Sequence, residues 1–482
     1  MVYRNLVYRV ILNHKLLNGV SGMFVGREEE LNSLEHQYNS SDFHFTVIYG
    51  RRRIGKTELI RQFIKSKNAI YFMATESSGE KNLEMLSKVI LERSGAEFRF
   101  TGFSDFEALF DYLAVISKSE RLVLVIDEFP YLAEAYPEIS SLIQKYCDHE
   151  WSDTRLHLIL CGSSMSFMEN QVLGAKSPLY GRRTSQIRLK EFSYFETEAF
   201  LAPMKKEEIA VLHCATGGVA EYLSYIDRKK TLDENLTDLF FSTSGRMYEE
   251  PISFLKQELR EPGAYNAILD VIAGGARKNN EIATKVQKST GAINNYLDNL
   301  IELGILIKEK PVGEATSRKT IYRIRDGSFR FWYRYVFPNM SAIEIGLGDR
   351  FYREQVKEDL PNFMGEGFEE IFIDYFDRMN KDGALPFLVT SRGRWWGNNA
   401  KLKREEEIDL VGFGRDSAIF CEVKWTSRKI GMEVIDQLIE KSMLFAAPEK
   451  HFILFSKSGF TKTVMDEYES NNRIHLIRFL EE

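Results

Sequence analysis

The sequence predicts an α/β protein in three parts: a parallel sheet built around a phosphate-binding loop, a winged helix-turn-helix, and a second, smaller α/β domain. Three observations carry this. An apolar strand-like run leads into "GRRRIGKT", a basic stretch of three short helices ends in a ribbon, and "EEEIDLVGFGRDSAIFCEVKW" holds two strand-like runs about a turn. The 482 residues are too many for one ordinary core. The expected divisions are an N-terminal extension over 1–22, a loop-bearing domain with a helical lid over 23–242, the winged helix over 243–337 and the last domain over 338–482.

The first domain is placed by "FHFTVIYGRRRIGKTELIRQFIK", Phe43 to Lys65. Phe45 to Tyr49 reads as a buried parallel strand and Thr57 to Ile64 has helical spacing. Between them, Gly50-x4-Gly55-Lys56-Thr57 is the P-loop pattern, whose glycines let backbone amides wrap phosphates at a helix N-terminus. Lys56 is expected to meet the β- and γ-phosphates of ATP and Thr57 to hold Mg2+. Arg51, Arg52, Arg53, Ile54 and Glu58 complete the candidate nucleotide contacts.

A second apolar run, "RLVLVIDEFPYL", ends in Asp127 and Glu128, as a buried strand does when its carboxyl end opens on a ligand crevice. Asp127 is expected to bind Mg2+ through water, and Glu128 to align and polarise the attacking water. A third run, "LHLILCGSSMSFM", puts Ser163 or Ser164 near the γ-phosphate if its strand neighbours the first; Gly-Ser-Ser is otherwise an ordinary helix-capping turn.

These segments resemble the archaeal-type ATPase family in the STAND and AAA-like branch of P-loop NTPases. The resemblance takes in "FVGREEELNSLE" at Phe24 to Glu35, "SPLYGRRT" at Ser177 to Thr184 and "ATGGVAEYL" at Ala215 to Leu223. It implies that the first segment packs near the adenine. Family members commonly carry Gly-Gly-x-Pro in the last segment; Ala220 stands at the proline position here. Arg182 and Arg183 are candidates for a transition-state arginine, with surface ion pairing as the alternative.

After a break near "STSGRMYEEP", the segments "YNAILDVIAGG", "KNNEIATKV", "STGAINNYLDNLIELGILIKEK" and "RKTIYRIRD" follow the winged helix-turn-helix plan. In the third helix Ile293, Leu297, Leu300 and Gly304 share a face, leaving Thr290, Asn294, Asn295 and Asp298 outward, with Ser289 as N-cap. Arg277, Lys278, Lys285, Lys288, Lys308, Lys310, Arg318, Lys319, Arg323 and Arg325 form a local basic set suited to a DNA backbone. A hinge or protein-binding module is the alternative. The aromatic stretch "SFRFWYRYVFP" reads as a buried interface helix in preference to a base-stacking platform.

In the last domain, a turn at Gly414 to Ser417 pairs Phe413 with Ala418 and sets Asp409 opposite Glu422. Ile408, Leu410, Ile419, Cys421, Val423 and Trp425 then share one face, and Asp409, Glu422 and Lys424 the other. Facing carboxylates cost roughly 0.2–1 kcal/mol unless a cation lies between them, and either Lys424 or Mg2+ serves. This pattern resembles the core of the PD-(D/E)xK, restriction-endonuclease-like fold. The resemblance implies metal-binding carboxylates at Asp409 and Glu422, a catalytic Lys424, a further acid at Glu369 (Glu370 second) from "GEGFEEIFIDYF", and a polar contributor at Gln437. "RGRWWGNN" resembles the C-terminal domain that accompanies this ATPase family.

Hydrophobic content of 44%, charged content of 28% and a net charge of −6 describe a soluble globular chain without general attraction for nucleic acid. Cys147, Cys161, Cys214 and Cys421 form no CxxC pair, which argues for a reducing cytoplasm and against a zinc or disulfide framework. No apolar run approaches the roughly 18 residues of a membrane span. The expected protein is a cytoplasmic ATPase whose nucleotide state controls DNA engagement, with Mg2+-dependent cleavage by the last domain. The alternative is a regulatory switch or scaffold with an inactive nuclease-like domain, a protein partner or self-association.

Overall fold

The computed structural model describes residues 24–93, 102–314, 319–399, 403–468 and 470–480. The N-terminal extension and Arg318 of the basic set lie outside them. The described chain forms two compact units, one of residues 24–191 with 219–221, the other of residues 192–218 with 222 onward.

In the first unit, helix α1 (Glu28–Asn39) is followed by β1 (His44–Tyr49), α2 (Lys56–Ile64), β2 (Ala69–Met73), α3 (Gly79–Arg93) and α4 (Phe106–Ser119). Next come β3 (Leu122–Asp127), α5 (Phe129–Ala135), α6 (Ile139–Asp148), β4 (Leu156–Gly162) and β5 (Ser185–Arg188). The strands are parallel in the order β2-β3-β4-β1-β5. The central strands are mostly apolar because both their faces are covered, and the buried Thr46 of β1 and His157 of β4 bond each other at 2.9 Å. Phe45, Val47, Leu124 and Leu158 point into one core with residues of α3 to α6; Ile48, Val125 and Ile159 meet Leu34 of α1 and Leu59 and Phe63 of α2 on the other face. This order puts the β4 terminus between the termini of β1 and β3.

In the second unit, α7 (Tyr194–Leu201), α8 (Lys206–Thr216), α9 (Leu232–Phe240) and α10 (Glu250–Glu258) precede α11 (Pro262–Ala273), α12 (Asn279–Lys285) and α13 (Thr290–Glu302). The antiparallel pair β6 (Leu306–Glu309) and β7 (Ile321–Ile324) follows, then α14 (Gly327–Phe331) and the long α15 (Lys357–Lys381). Ser289 caps α13 by accepting the Ala292 N–H at 3.2 Å, and Gly304 ends it at φ 73°. Ile293, Leu297 and Leu300 are buried while Thr290, Asn294, Asn295 and Asp298 are exposed, as the spacing predicts. Phe329, Phe331, Trp332, Tyr333 and Tyr335 are buried, so "SFRFWYRYVFP" is core.

A second sheet joins β8 (Ser391–Asn399), β9 (Arg404–Phe413), β10 (Ser417–Lys424), β11 (Glu449–Ser456) and β12 (Ile474–Arg478) in the order β12-β11-β10-β9-β8. The meander β8-β9-β10 is antiparallel and β10-β11-β12 parallel, with α16 (Met432–Ser442) and α17 (Lys462–Tyr468) making the crossovers. Ile435, Leu438 and Val464 of these helices pack with Val411, Phe420 and Leu454. Phe368 of α15 stacks on Phe455, and Phe372 meets the same ring at a tilt.

The hairpin register is the predicted one over four pairs, Phe413 with Ala418 through Leu410 with Cys421. One expectation fails: Ile408 clusters with Val411 and Phe420 and leaves the Leu410 face. The cause is a bulge. Between Gly393↔Val411 and Trp395↔Ile408, β9 has two residues, Asp409 and Leu410, against the single Arg394 of β8. Among the described residues, the four cysteines are buried and free, and no helix is long and apolar enough to cross a membrane.

Candidate functional site

The phosphate loop leaves the carboxyl end of β1 and enters α2. A Cβ on Gly50 would come within 2.4 Å of the Leu189 carbonyl oxygen, so no larger residue fits there. Lys56 is buried and donates to the carbonyls of Gly50 (2.8 Å) and Arg51 (2.9 Å), which holds its ammonium inside the loop. Burial lowers its pKa, against the pull of nearby Glu128 and Asp127. Arg52 reaches the Tyr131 hydroxyl at 3.4 Å, Ile54 is buried, and Glu58 is exposed in the first turn of α2.

Thr57 Oγ1 donates to Asp127 Oδ2 at 3.0 Å, across the sheet positions that the two motifs predict. A hydroxyl and a carboxylate oxygen facing each other suit a hard divalent cation, so Thr57 and Asp127 fit Mg2+. Tyr71 was not legible in the sequence: its hydroxyl donates to the same Asp127 oxygen at 2.7 Å, while the Glu128 N–H holds Oδ1 at 2.9 Å. Burial and that bond raise the Tyr71 pKa, which keeps it a donor. Only knowledge that β2 lies beside β3 would have singled it out.

Glu128 has φ 51° and ψ 44°, a left-handed conformation that costs a non-glycine residue on the order of 1–3 kcal/mol. The strained backbone aims its carboxylate at Ser163, whose Oγ lies 2.9 Å from both carboxylate oxygens. Ser163 is buried at the end of β4, and β4 does neighbour β1; Ser164 instead precedes a short helical turn. Of the two serines the sequence offers, Ser163 is the one placed against Glu128.

Residues 219–221 dock on this loop. The Glu221 N–H donates to the Arg53 carbonyl at 3.1 Å, and Ala220 Cβ stands 3.8 Å from where a Gly55 Cβ would be. The missing proline at 220 does not prevent that contact. Arg27, in the segment expected near the adenine, is a further residue the sequence did not single out. It is buried and donates to the carbonyls of Ile54 (3.2 Å) and Lys190 (2.6 Å), tying the loop to the chain beyond β5.

The structure does not bring Arg182 to the loop. It precedes β5, and Thr184 pairs with Phe45 near the amino end of β1, whereas the loop leaves the carboxyl end. Its guanidinium clasps Asp148 through Nε (2.9 Å) and Nη2 (2.8 Å), the surface ion pair that was the alternative. Arg183 stands over the Tyr180 ring.

In the second unit, two members of the basic set are paired with carboxylates. Arg323 is buried against Glu309 and Glu370, and Arg277 pairs with Glu366 at 3.0 Å. Lys278, Lys285, Lys288, Lys308, Lys310 and Arg325 are exposed.

On the second sheet, Asp409 lies one step beyond the last Leu410–Cys421 pair, beside Glu422, and accepts the Val423 N–H at 2.8 Å. Lys424 Nζ bonds Glu422 Oε1 at 2.5 Å, and Lys441 reaches Oε2 at 3.5 Å. Lys441 takes the place expected of Gln437, which is exposed one turn earlier on α16. Glu369 meets Arg394 at 3.5 Å; Glu370 is committed to Arg323 and Arg330. Burial, and then the neighbouring Asp409, push Glu369 above the usual carboxylate range; burial and Glu422 do the same to Asp409. Among the described residues no three acids are gathered to hold a metal, and each of Glu369, Asp409 and Glu422 already has a donor or cation of its own.

Residues 24–226 match a family described as an ATPase domain predominantly from Archaea, and residues 332–435 match one described as archaeal and bacterial proteins of unknown function. An uncharacterized protein of Methanocaldococcus jannaschii is 34% identical over 453 residues, covering 90% of this chain and 96% of the relative. An uncharacterized ATP-binding protein of the same organism is 49% identical over 45 residues, 9% of this chain and 76% of that one. Among solved structures, a Walker-type ATPase of Pyrococcus abyssi is 21% identical with a TM-score of 0.48, covering 64% of this chain and 96% of that chain. With a P-loop sheet whose lysine, threonine and paired acids stand together, and a relative matched over nearly its whole length, the chain belongs to the archaeal P-loop ATPase family.

Proposed function

We propose that the protein is an ATP-driven switch whose nucleotide state controls its engagement of DNA. The clasp between Glu128 and Ser163, beside Asp127 facing Thr57, carries the hydrolytic part of this reading. ATP with Mg2+ supplies the phosphoanhydride and the charge that neutralises it. Lys56 exchanges the loop carbonyls for the β- and γ-phosphates, the loop amides orient them, and Thr57 with Asp127 would hold the cation. Glu128, released from Ser163, aligns the attacking water and draws on its proton, while Ser163 turns to the γ-phosphate. Glu128→Gln is expected to keep ATP binding and to slow phosphate release by about 10²–10⁴-fold. Hydrolysis at the wild-type rate in that variant sinks the assignment.

The order of three helices and a hairpin over 262–324, the capped third helix and the six exposed cations support a winged helix-turn-helix within 243–337. A salt-dependent shift with short duplex DNA is expected, lost on charge reversal at Lys285 and Lys288. Absence of any shift at low salt refutes DNA engagement.

The antiparallel-then-parallel sheet with α15 and α16 supports a restriction-endonuclease-like core for the last part of the chain. Its ion pairs favour a scaffold over a cleaving domain, since Lys424, Lys441 and Arg394 hold the acids a metal would need. Mg2+- or Mn2+-dependent nicking by the wild type that disappears in Asp409→Ala and Glu422→Ala would overturn this choice.

A further inference from the structure

A cleft of about 180 Å³ opens in the second unit where the end of α11, β7 and α15 meet, and Arg277, Arg323, Arg330 and Arg334 line it with one carboxylate, Glu366. That is the volume of about six waters, enough for a phosphate and some of what it is attached to. Ile272 and Phe363 give it an apolar floor, and the Phe363 ring lies 5.4 Å from the Arg330 guanidinium carbon.

The formal charges of the cluster balance, four arginines against Glu309, Glu366, Glu370 and Asp359, but their directions do not. Arg323 bonds Glu309 and Glu370, Arg330 bonds Glu370 through both Nη atoms, and Arg334 bonds Asp359; none of these carboxylates lines the cleft. Glu366 alone lines it, 3.0 Å from Arg277. Arg330 is 9% exposed, and its buried Nε has no hydrogen-bond partner. That Nε is sealed from the cleft, so the charge Arg330 offers is felt through space, while Arg277 and Arg334, half-exposed, can reach a ligand directly; an oxyanion is the natural complement to a guanidinium edge.

We propose that this cleft is a phosphate-binding site, separate from the nucleotide loop, that takes free phosphate or the terminal phosphate monoester of a nucleic-acid strand. The half-exposed guanidiniums of Arg277 and Arg334 are its donors, and Glu366 is the carboxylate that the anion displaces from Arg277. The competition makes a signed prediction that a purely structural cluster does not make: Glu366→Gln tightens binding.

The test is calorimetric titration of the full chain carrying Lys56→Ala, which silences the nucleotide loop. The probes are sodium phosphate and one oligonucleotide in 5′-phosphorylated and 5′-hydroxyl forms. Saturable binding of phosphate, or of the phosphorylated strand in preference to its hydroxyl twin, is expected, and the probe that binds names the source. Arg277→Gln and Arg334→Gln, each added singly at a partly exposed position, are expected to weaken it about tenfold. The site is overturned if neither probe binds at millimolar concentration, or if a folded arginine variant and Glu366→Gln leave the affinity unchanged. Thermal melting of each variant identifies any that fails to fold, and either arginine suffices.

Discussion

Asp127 Oδ2 accepts hydroxyls from both Thr57 and Tyr71, and the two donors differ in consequence. Thr57 is a proposed metal ligand, so its loss removes the cation. Tyr71 only fixes the carboxylate: Tyr71→Phe is expected to cost about 0.5–1.5 kcal/mol in unfolding free energy and to raise the Mg2+ concentration for half-maximal hydrolysis while leaving ATP binding without metal unchanged. A loss of metal-free binding would place Tyr71 in the nucleotide contact set instead. Lys56→Ala should abolish nucleotide binding outright in a fluorescent-nucleotide titration, because its ammonium is the one the loop carbonyls hold at 2.8 and 2.9 Å.

The phosphate loop as an element was legible because its chemistry is local: two glycines, a lysine and a threonine between a strand and a helix. What braces it was not. Arg27 lies 27 residues before Ile54 and 163 before Lys190, and a lone arginine ahead of an acid run gives no sign of burial. Removing it leaves two carbonyls without that donor, so Arg27→Ala is expected to destabilise the ATPase unit by about 2–3 kcal/mol. The readout is the urea midpoint of the transition that bound ATP shifts; an unchanged midpoint counts against the brace. The β9 bulge was illegible for a related reason, since a bulge is a difference in residue count between two strands and needs both to be seen. The alternation rule placed Leu410 correctly and failed at Ile408, one residue past the inserted position. Lys441 escaped for want of helix phase, one turn beyond Gln437.

For the molecule as a whole, the second sheet carries a pH dependence. There, burial followed by Asp409 raises Glu369, and burial followed by Glu422 raises Asp409. A carboxyl raised on folding keeps a proton that the unfolded chain has released, so its contribution is present at acid pH and lost as pH climbs from about 4, the unfolded value, through the folded one. Glu369→Gln should therefore gain thermal stability relative to wild type as pH rises towards 8, and the gain should vanish near pH 4. A difference that does not depend on pH would remove the titration argument.

Temperature gives the knot of Glu309, Arg323, Glu370 and Arg330, its arginines buried and its acids partly so, a different meaning. Taking charges wholly or partly out of water is dearest when water hydrates ions best, and that hydration weakens on heating. The knot that costs most in the cold is thus cheapest in the heat. The part of the chain tied together through α15 is built so that warming erodes it more slowly than its apolar core alone would allow.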